Sequence, residues 1–248
     1  MKIPTLSNSN PDRLTPALPA ERRSLLAAGL ALACSGAFAG VAGSGVQDER
    51  RPPPPNSHGA PPVLPPNAQP FHYSLEEIAR IVAPFNVGPR TTGTEPNTPF
   101  QLLYVNSAGS TTFTVKAGQT LYVPLISLDN TAPVLGRFPS DARERRAVLN
   151  YWFSPAEIGV TTMEIVIDGK RVSLGALYVQ GLSFRHALPN GATQYITAGA
   201  FLSPLARGAH TVEVRFKATG AALREPPFDT AFPDGYLEFS IPYTVTVQ

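Results

Sequence analysis

Cysteine, methionine and charged residues are scarce in this chain of 248 residues. It contains one cysteine, two methionines and one tryptophan, and charged residues make up only 15% of it. The scarcity of methionine excludes a methionine-rich copper site. No apolar run reaches the roughly 18 residues that a membrane-spanning helix needs, so we expect no internal membrane span. Hydrophobic residues make up 43%, which is typical of a folded protein rather than a disordered one.

Familiar catalytic and metal-binding motifs are also absent. The sequence has no phosphate-binding loop, no dinucleotide fingerprint, no Gly-x-Ser-x-Gly nucleophile elbow and no calcium loop of alternating aspartates. The short spacings typical of metal ligands do not occur among the four histidines, which are His58, His72, His186 and His210. We therefore predict no metal, no cofactor and, on balance, no enzyme. Glu164 and Glu213 would suit glycoside hydrolysis as a carboxylate pair, but alternating surface charge on strands explains both more simply.

The amino terminus has the pattern of an export signal. Residues 1–23 are polar and carry four basic side chains, and residues 25–33 form a short apolar stretch. Ala37 and Ala39 then match the small-residue cleavage site of a signal peptide. We expect residues 1–39 to be removed and the mature protein to be periplasmic or secreted.

Two features of this region bear on the export route and on anchoring. Arg22-Arg23, ahead of the apolar stretch, is similar to a twin-arginine signal, which is an address read by a receptor. Cys34 ends the apolar stretch in a setting similar to a relaxed lipobox, where cleavage would give a lipid-anchored outer-membrane protein. Cleavage after Ala39 would give a soluble protein instead, and we favour that form.

Cleavage after Ala39 changes the charge and the chemistry of the chain. The whole chain has 20 basic and 18 acidic residues, and removal of the signal leaves 16 of each. The mature protein then has no basic surplus, so we predict no nucleic-acid partner. It also has no cysteine, which excludes a disulfide, a thiolate metal site and a cysteine nucleophile.

Proline separates the signal from the folded part of the chain. Nine of the 27 prolines fall within residues 52–70, and we interpret residues 40–73 as a semi-rigid polyproline linker. Ser74 and Glu77 form a capping box, and the apolar residues behind it lie on one helical stripe that ends at Pro84. Residues 74–99 are therefore predicted to be a short helix and connector that pack on the main domain.

Residues 100–248 alternate between apolar and polar side chains with the period of a β-strand. The alternation is clear in residues 163–168, 212–217 and 237–247, and Asp168-Gly169 is typical of a tight hairpin turn. Such a pattern favours antiparallel sheets with one face in water. We predict an all-β fold, an antiparallel β-sandwich of immunoglobulin-like or jelly-roll type with short helical insertions.

The predicted insertion lies between residues 139 and 157. Asp141 with Glu144, and Ser154 with Glu157, each have the spacing of a helix capping box. We expect two short helices here, covering a loop between strands.

Three segments of this region together resemble a known family. They read FTVKAGQTLYVPL at 113–125, MEIVIDGKRV at 163–172 and LARGAHTV at 205–212. In this order and spacing they are similar to an uncharacterised family of exported bacterial β-sandwich proteins, over about residues 100–248. The family has no assigned activity, so the resemblance implies a fold and no catalytic residue. His210 lies where fibronectin-like domains have a tyrosine corner, which implies a hydrogen bond to nearby backbone.

Elimination of these chemistries favours a binding protein, because loops at the ends of a sandwich are good binding platforms. Asp129 ends one predicted strand, and Arg185 and His186 follow another. Tyr151 and Trp152 could stack on a sugar or anchor a protein partner, or they could fill the gap between a helix and the sheet. If these loops share one end of the domain, they form a polar ligand-binding surface.

The sequence thus predicts an exported, non-catalytic module that binds a glycan, an envelope component or a protein partner. Two alternatives stay open: a hydrolase with a site assembled from loops, and a structural subunit of an envelope assembly. Membrane contact is expected only through the signal or a lipid anchor at Cys34. The sequence leaves the oligomeric state undetermined.

Overall fold

The computed structural model describes residues 61–91 and 93–248. The predicted signal peptide, Cys34 and most of the predicted linker lie outside these residues. Within them the chain forms nine strands: β1 Gln101–Leu102, β2 Thr112–Val115, β3 Leu121–Asp129, β4 Val160–Ile167, β5 Lys170–Ser173, β6 Val179–Ser183, β7 Gln194–Leu202, β8 Gly208–Ala218 and β9 Leu237–Val247. The same residues form three α-helices: α1 Leu75–Asn86, α2 Arg145–Phe153 and α3 Phe228–Ala231.

The strands make two sheets. The four-stranded sheet has the order β1-β3-β7-β6, and the five-stranded sheet has the order β2-β9-β8-β4-β5. Both sheets are mixed, because β1 runs parallel to β3 and β2 runs parallel to β9. The β-rich prediction is confirmed, whereas the purely antiparallel arrangement is wrong at these two edges. Alternation gives the period of a strand but not its direction, and neither parallel pair is joined by a hairpin turn that would fix the direction.

One hydrophobic core receives side chains from both sheets. Val123 and Ala198 enter it from the four-stranded sheet, and Val214 and Val245 enter it from the five-stranded sheet. The inward and outward positions of β8 and β9 alternate along both strands. Each sheet therefore turns one face towards the same core, and the predicted alternation is present in β8 and β9 of the five-stranded sheet.

Helix α1 covers the other face of the four-stranded sheet. The predicted capping box is present: Ser74 Oγ accepts from the amide of Glu77 at 3.2 Å, and Glu77 Oε2 accepts from the amide of Ser74 at 2.8 Å. Ile78 packs with Tyr122 and Phe201 of the sheet. Because helix and core bury opposite faces, β7 is buried along almost its whole length.

The insertion between β3 and β4 differs from its prediction. Only one helix forms, α2, and the side chain of its N-cap residue, Glu144, accepts no capping hydrogen bond from the helix backbone. Asp141 instead accepts from Arg143, and Glu157 accepts from Arg137 rather than capping a second helix. Both carboxylates are engaged by arginines that a local capping pattern does not reveal.

Part of the predicted linker is folded onto the four-stranded sheet. Val63 is buried and forms a bridge with Leu202. The amide of Leu64 donates to Phe201 O at 2.9 Å, and the amide of Ser203 donates to Pro62 O at 3.1 Å. Residues 61–64 thus extend the sheet locally beside the end of β7.

Candidate functional site

Asp129, at the end of β3, connects two loops. Its Oδ1 accepts from the amide of Thr131 at 2.8 Å and also from the Thr131 hydroxyl. Its Oδ2 accepts from Asn190 Nδ2 at 2.8 Å, and the same amide group reaches Thr131 Oγ1 at 3.0 Å. The carboxylate therefore holds the turn after β3 against residues 184–193, which connect β6 and β7 and which we call the β6–β7 loop.

Asn130 provides a second link between the same segments. Its Oδ1 accepts from the amides of Thr193 and Gln194 at 2.9 and 3.0 Å, and its Nδ2 donates to Thr193 Oγ1 at 3.2 Å. Within the loop, the amide of Leu188 donates to Ala192 O at 2.8 Å. The loop is thus held both at its base and near its tip.

Arg185 and His186 are exposed on this loop. The structure brings Asp129 to the same loop, as the sequence analysis required for a shared surface. Among the described residues, however, no hydrogen bond or ion pair joins Asp129 to Arg185 or His186. Its carboxylate accepts from Thr131 and Asn190 instead. Asp129 therefore supports the loop, and the two basic side chains face solvent.

Other cations near the loop already have acidic partners. Arg80 donates to Ser183 O at 3.1 Å, lies over the Phe184 ring and pairs with Glu76. Arg143 pairs with Asp141 at 2.8 Å. Hydrogen bonds from the Arg143 guanidinium, the largest cause, hold the pKa of Asp141 well below its ordinary value. Arg185 has no such partner within the described part of the chain, so its charge is available to a ligand.

Tyr151 and Trp152 lie in the core and not at a surface. Their exposed fractions are 2% and 0%. The Tyr151 hydroxyl donates to Leu135 O at 2.7 Å, and Trp152 Nε1 contacts Met163 Sδ at 3.3 Å. Burial, with a smaller effect of nearby Glu157 and Asp129, raises the pKa of Tyr151 above its usual value. Both rings fill the space between α2 and the sheets, so a surface site has to be built without them.

His210 has the structural role that its position implied. Its Nε2 lies 2.7 Å from Ala206 O, which confirms the expected hydrogen bond to nearby backbone. Its Nδ1 lies 2.7 Å from Asp168 Oδ2, a contact that the sequence analysis missed. Asp168 and Gly169 have positive φ and join β4 to β5 in the predicted tight turn. The histidine thus fastens the turn before β8 to the β4–β5 hairpin.

The charged pair singled out for glycoside hydrolysis belongs to a ladder of ion pairs. On the outer face of the five-stranded sheet, Glu164 pairs with Arg171 at 3.3 Å and Glu213 with Arg215 at 2.7 Å. Hydrogen bonds from Arg215, with a smaller contribution from Ser240, lower the pKa of Glu213. Both carboxylates thus alternate with inward-facing residues along their strands and are paired with arginines on this face.

A small polar cleft beside β2 was missed by sequence reasoning. It has a volume of about 200 Å³, and its lining includes Glu95, Gln101, Tyr104, Thr112, Phe113 and Thr114. Glu95 Oε1 accepts from the Tyr104 hydroxyl, and Oε2 accepts from the amide of Gly93 at 2.7 Å. The hydrogen bond from Tyr104 is the largest cause that lowers the pKa of Glu95. No local motif marks this β2 cleft, because its residues come from three separate segments.

Among residues 61–91 and 93–248, no three His, Cys, Asp or Glu side chains converge to hold a metal ion. None of the helices in that part of the chain combines the length and the apolar composition needed to cross a bilayer.

Comparison with known proteins adds no relative. No protein-family model, no curated protein and no solved structure matches the chain.

Proposed function

We propose that the chain is an exported, non-catalytic, β-rich module that binds a glycan, an envelope component or a protein partner. Its signal peptide, at residues 1–39, directs it to the periplasm or the cell exterior. The binding surface is the β6–β7 loop, and Arg185 and His186 make the ligand contacts.

The fold proposed for this module is a two-layer β-sandwich of immunoglobulin-like or jelly-roll type. It is supported by the single core that both sheets share and by the charged outer face of the five-stranded sheet. The loops at the ends of such layers are held by the sheets and exposed to solvent, which suits them for binding.

The observation that carries the proposal is an anchored loop that exposes an unpaired cation. Asp129 holds the β6–β7 loop at Asn190 and Asn130 holds its base at Thr193, while Arg185 and His186 remain exposed. A loop that is already ordered loses less conformational entropy when it binds. The guanidinium and imidazole groups favour a ligand with acidic groups, since charge-assisted hydrogen bonds are the strong ones.

Two further observations favour binding over catalysis at this surface. The Asp129 carboxylate is committed to Asn190 and Thr131, so it supports the loop rather than facing a substrate. Neither the β2 cleft nor a shallow groove along the exposed side of α2 is lined by Asp129, Arg185 or His186. A hydrolase assembled from these three residues would need them to converge in a deep pocket.

A binding screen with the full-length chain tests the proposal. The chain is presented to a glycan array and to solubilised envelope material, beside a variant that combines Arg185→Ala with His186→Ala. We expect captured ligands to bind the variant about tenfold more weakly, because a charge-assisted hydrogen bond and its steering charge are lost.

Arg207→Ala is the matched control. Arg207 is also exposed, but it lies in the turn between β7 and β8, at the opposite end of β7 from the loop. The control removes one positive charge and should leave binding unchanged. A screen without any ligand, or equal binding by all three proteins, would contradict the proposed function.

A further inference from the structure

The β2 cleft lies far from the β6–β7 loop. Gln101, in its lining, pairs with Leu121 at the start of β3, whereas Asp129 ends that strand. The two places are thus roughly 25 Å apart along the strand, at about 3.3 Å per residue. A ligand in the cleft would be independent of one at the loop.

The charge of the cleft selects against anions. Glu95 is its only charged lining residue, and no lysine, arginine or histidine is among the residues that line it. The hydrogen bond from Tyr104 stabilises the ionised carboxylate, as the lowered pKa of Glu95 shows. Phosphate and carboxylate ligands would be repelled, and a neutral ligand would meet a strong acceptor.

The lining also offers many hydrogen-bonding groups. A carboxylate has about four acceptor positions, and Glu95 uses two of them for Tyr104 and Gly93. Thr112 and Thr114 lie exposed on β2, and each hydroxyl can both donate and accept. Gln101 adds an amide group, one hydrogen of which goes to Leu102 O at 3.0 Å. Mixed donors and acceptors of this kind match a ligand that carries several hydroxyl groups.

An aromatic pair gives the cleft an apolar wall. The rings of Tyr104 and Phe113 meet edge to face, with centroids 5.7 Å apart. Tyr104 is buried, so the half-buried Phe113 ring is the one that can pack against the C–H face of a sugar while polar groups bind its hydroxyls. The cleft volume of about 200 Å³ is the volume that only about seven water molecules occupy in the liquid. It suits one sugar ring and not a longer chain.

We propose that the β2 cleft binds a single neutral sugar residue, with Glu95, Gln101 and Thr112 as the groups that bind its hydroxyls. This inference rests on the proposed binding function, which it deepens by naming a ligand class and a second place on the molecule.

Saturation-transfer NMR on the full-length chain tests it, with free glucose, galactose, mannose and N-acetylglucosamine as probes. We expect at least one sugar to receive saturation. Glu95→Gln should weaken its binding about tenfold, because the charged acceptor is lost. Thr112→Val should weaken it severalfold, and since that side chain is exposed the substitution leaves the fold intact.

Thr211→Val is the matched control. Thr211 is an exposed threonine of the same sheet that does not line the cleft, so sugar binding should be unchanged. If no sugar receives saturation, the proposed sugar site is wrong. It is also wrong if a sugar binds and neither Glu95→Gln nor Thr112→Val weakens its binding. Methylammonium binding in place of every sugar would overturn the ligand class.

Failure of the cleft can be told apart from failure of the proposed function. If a ligand is captured through Arg185 and His186 while no sugar binds the cleft, only the proposed sugar site is wrong. If neither the sugar probes nor the envelope screen yields binding, both proposals fall.

Discussion

Glu157 illustrates how single polar residues are accommodated in this protein. Among the described residues it is the only charged side chain that is buried, with 5% of its surface exposed. Its Oε2 accepts from the amide of Arg137 at 2.8 Å, and its Oε1 accepts from the guanidinium of the same residue at 2.6 Å. One exposed arginine thus satisfies both oxygens, so the carboxylate is buried without an unpaired acceptor.

We predict that Glu157→Gln destabilises the protein by about 1–3 kcal/mol, because the charged acceptor is lost and an amide faces a backbone donor in a buried position. Urea denaturation measures the change. Glu238→Gln is the control: it breaks the exposed pair with Lys217, and its effect should be much smaller because solvent screens that pair. Equal losses in the two variants would show that the burial of Glu157 does not govern its contribution.

At the scale of elements, the edge strand β6 is covered rather than open. The Arg145 guanidinium donates to Val179 O and Ala176 O, and Arg80 donates to Ser183 O. Partial burial lowers the pKa of Arg145. Between these contacts the backbone of Gly181 lies directly against Ala142. Arginines and a close backbone approach thus occupy an edge that could otherwise pair with another strand.

The close approach predicts a large effect of one methyl group. A Cβ at Gly181 would lie 2.0 Å from Ala142 O, so Gly181→Ala should destabilise the protein by about 1–3 kcal/mol through overpacking. Gly175→Ala is the matched control, because nothing lies within 4 Å of a Cβ there and its φ is −87°. Thermal denaturation compares the two. A Gly181→Ala variant as stable as Gly175→Ala would mean that β6 is not packed against this segment.

The elements that could be predicted from sequence are those defined by local patterns. The capping box of Ser74 and Glu77, the alternation in β8 and β9, and the Asp168-Gly169 turn all appear as expected. The parallel edges, the partners of Glu157 and the β2 cleft could not be predicted, because each joins segments far apart in the chain. The burial of Trp152 could not be predicted either, because an aromatic cluster on a short helix does not reveal which face of the helix turns inward.

At the scale of the whole molecule, a single core joins the two sheets. Trp152 lies within it, on α2, and meets Phe216 of the five-stranded sheet with ring centroids 6.3 Å apart. The same cluster includes Ile196 and Ala198 of the four-stranded sheet. If one sheet unfolds, the apolar core residues of the other become exposed to water, so the two sheets should unfold together.

This shared core gives a prediction that the only tryptophan can report. Trp152 fluorescence and far-UV circular dichroism should show coincident urea transitions, because the probe of the core and the probe of the strands follow one cooperative event. Phe216→Ala should move both transitions together to lower urea concentration. The free energy of unfolding should fall by about 3–5 kcal/mol, since the substitution opens a cavity between the tryptophan and the sheet. Phe71→Ala is the control: that ring is 56% exposed, so the transitions should move little. Fluorescence that changes at a lower urea concentration than the circular dichroism would show that α2 and its surroundings unfold independently, and the two sheets would then not form one cooperative unit.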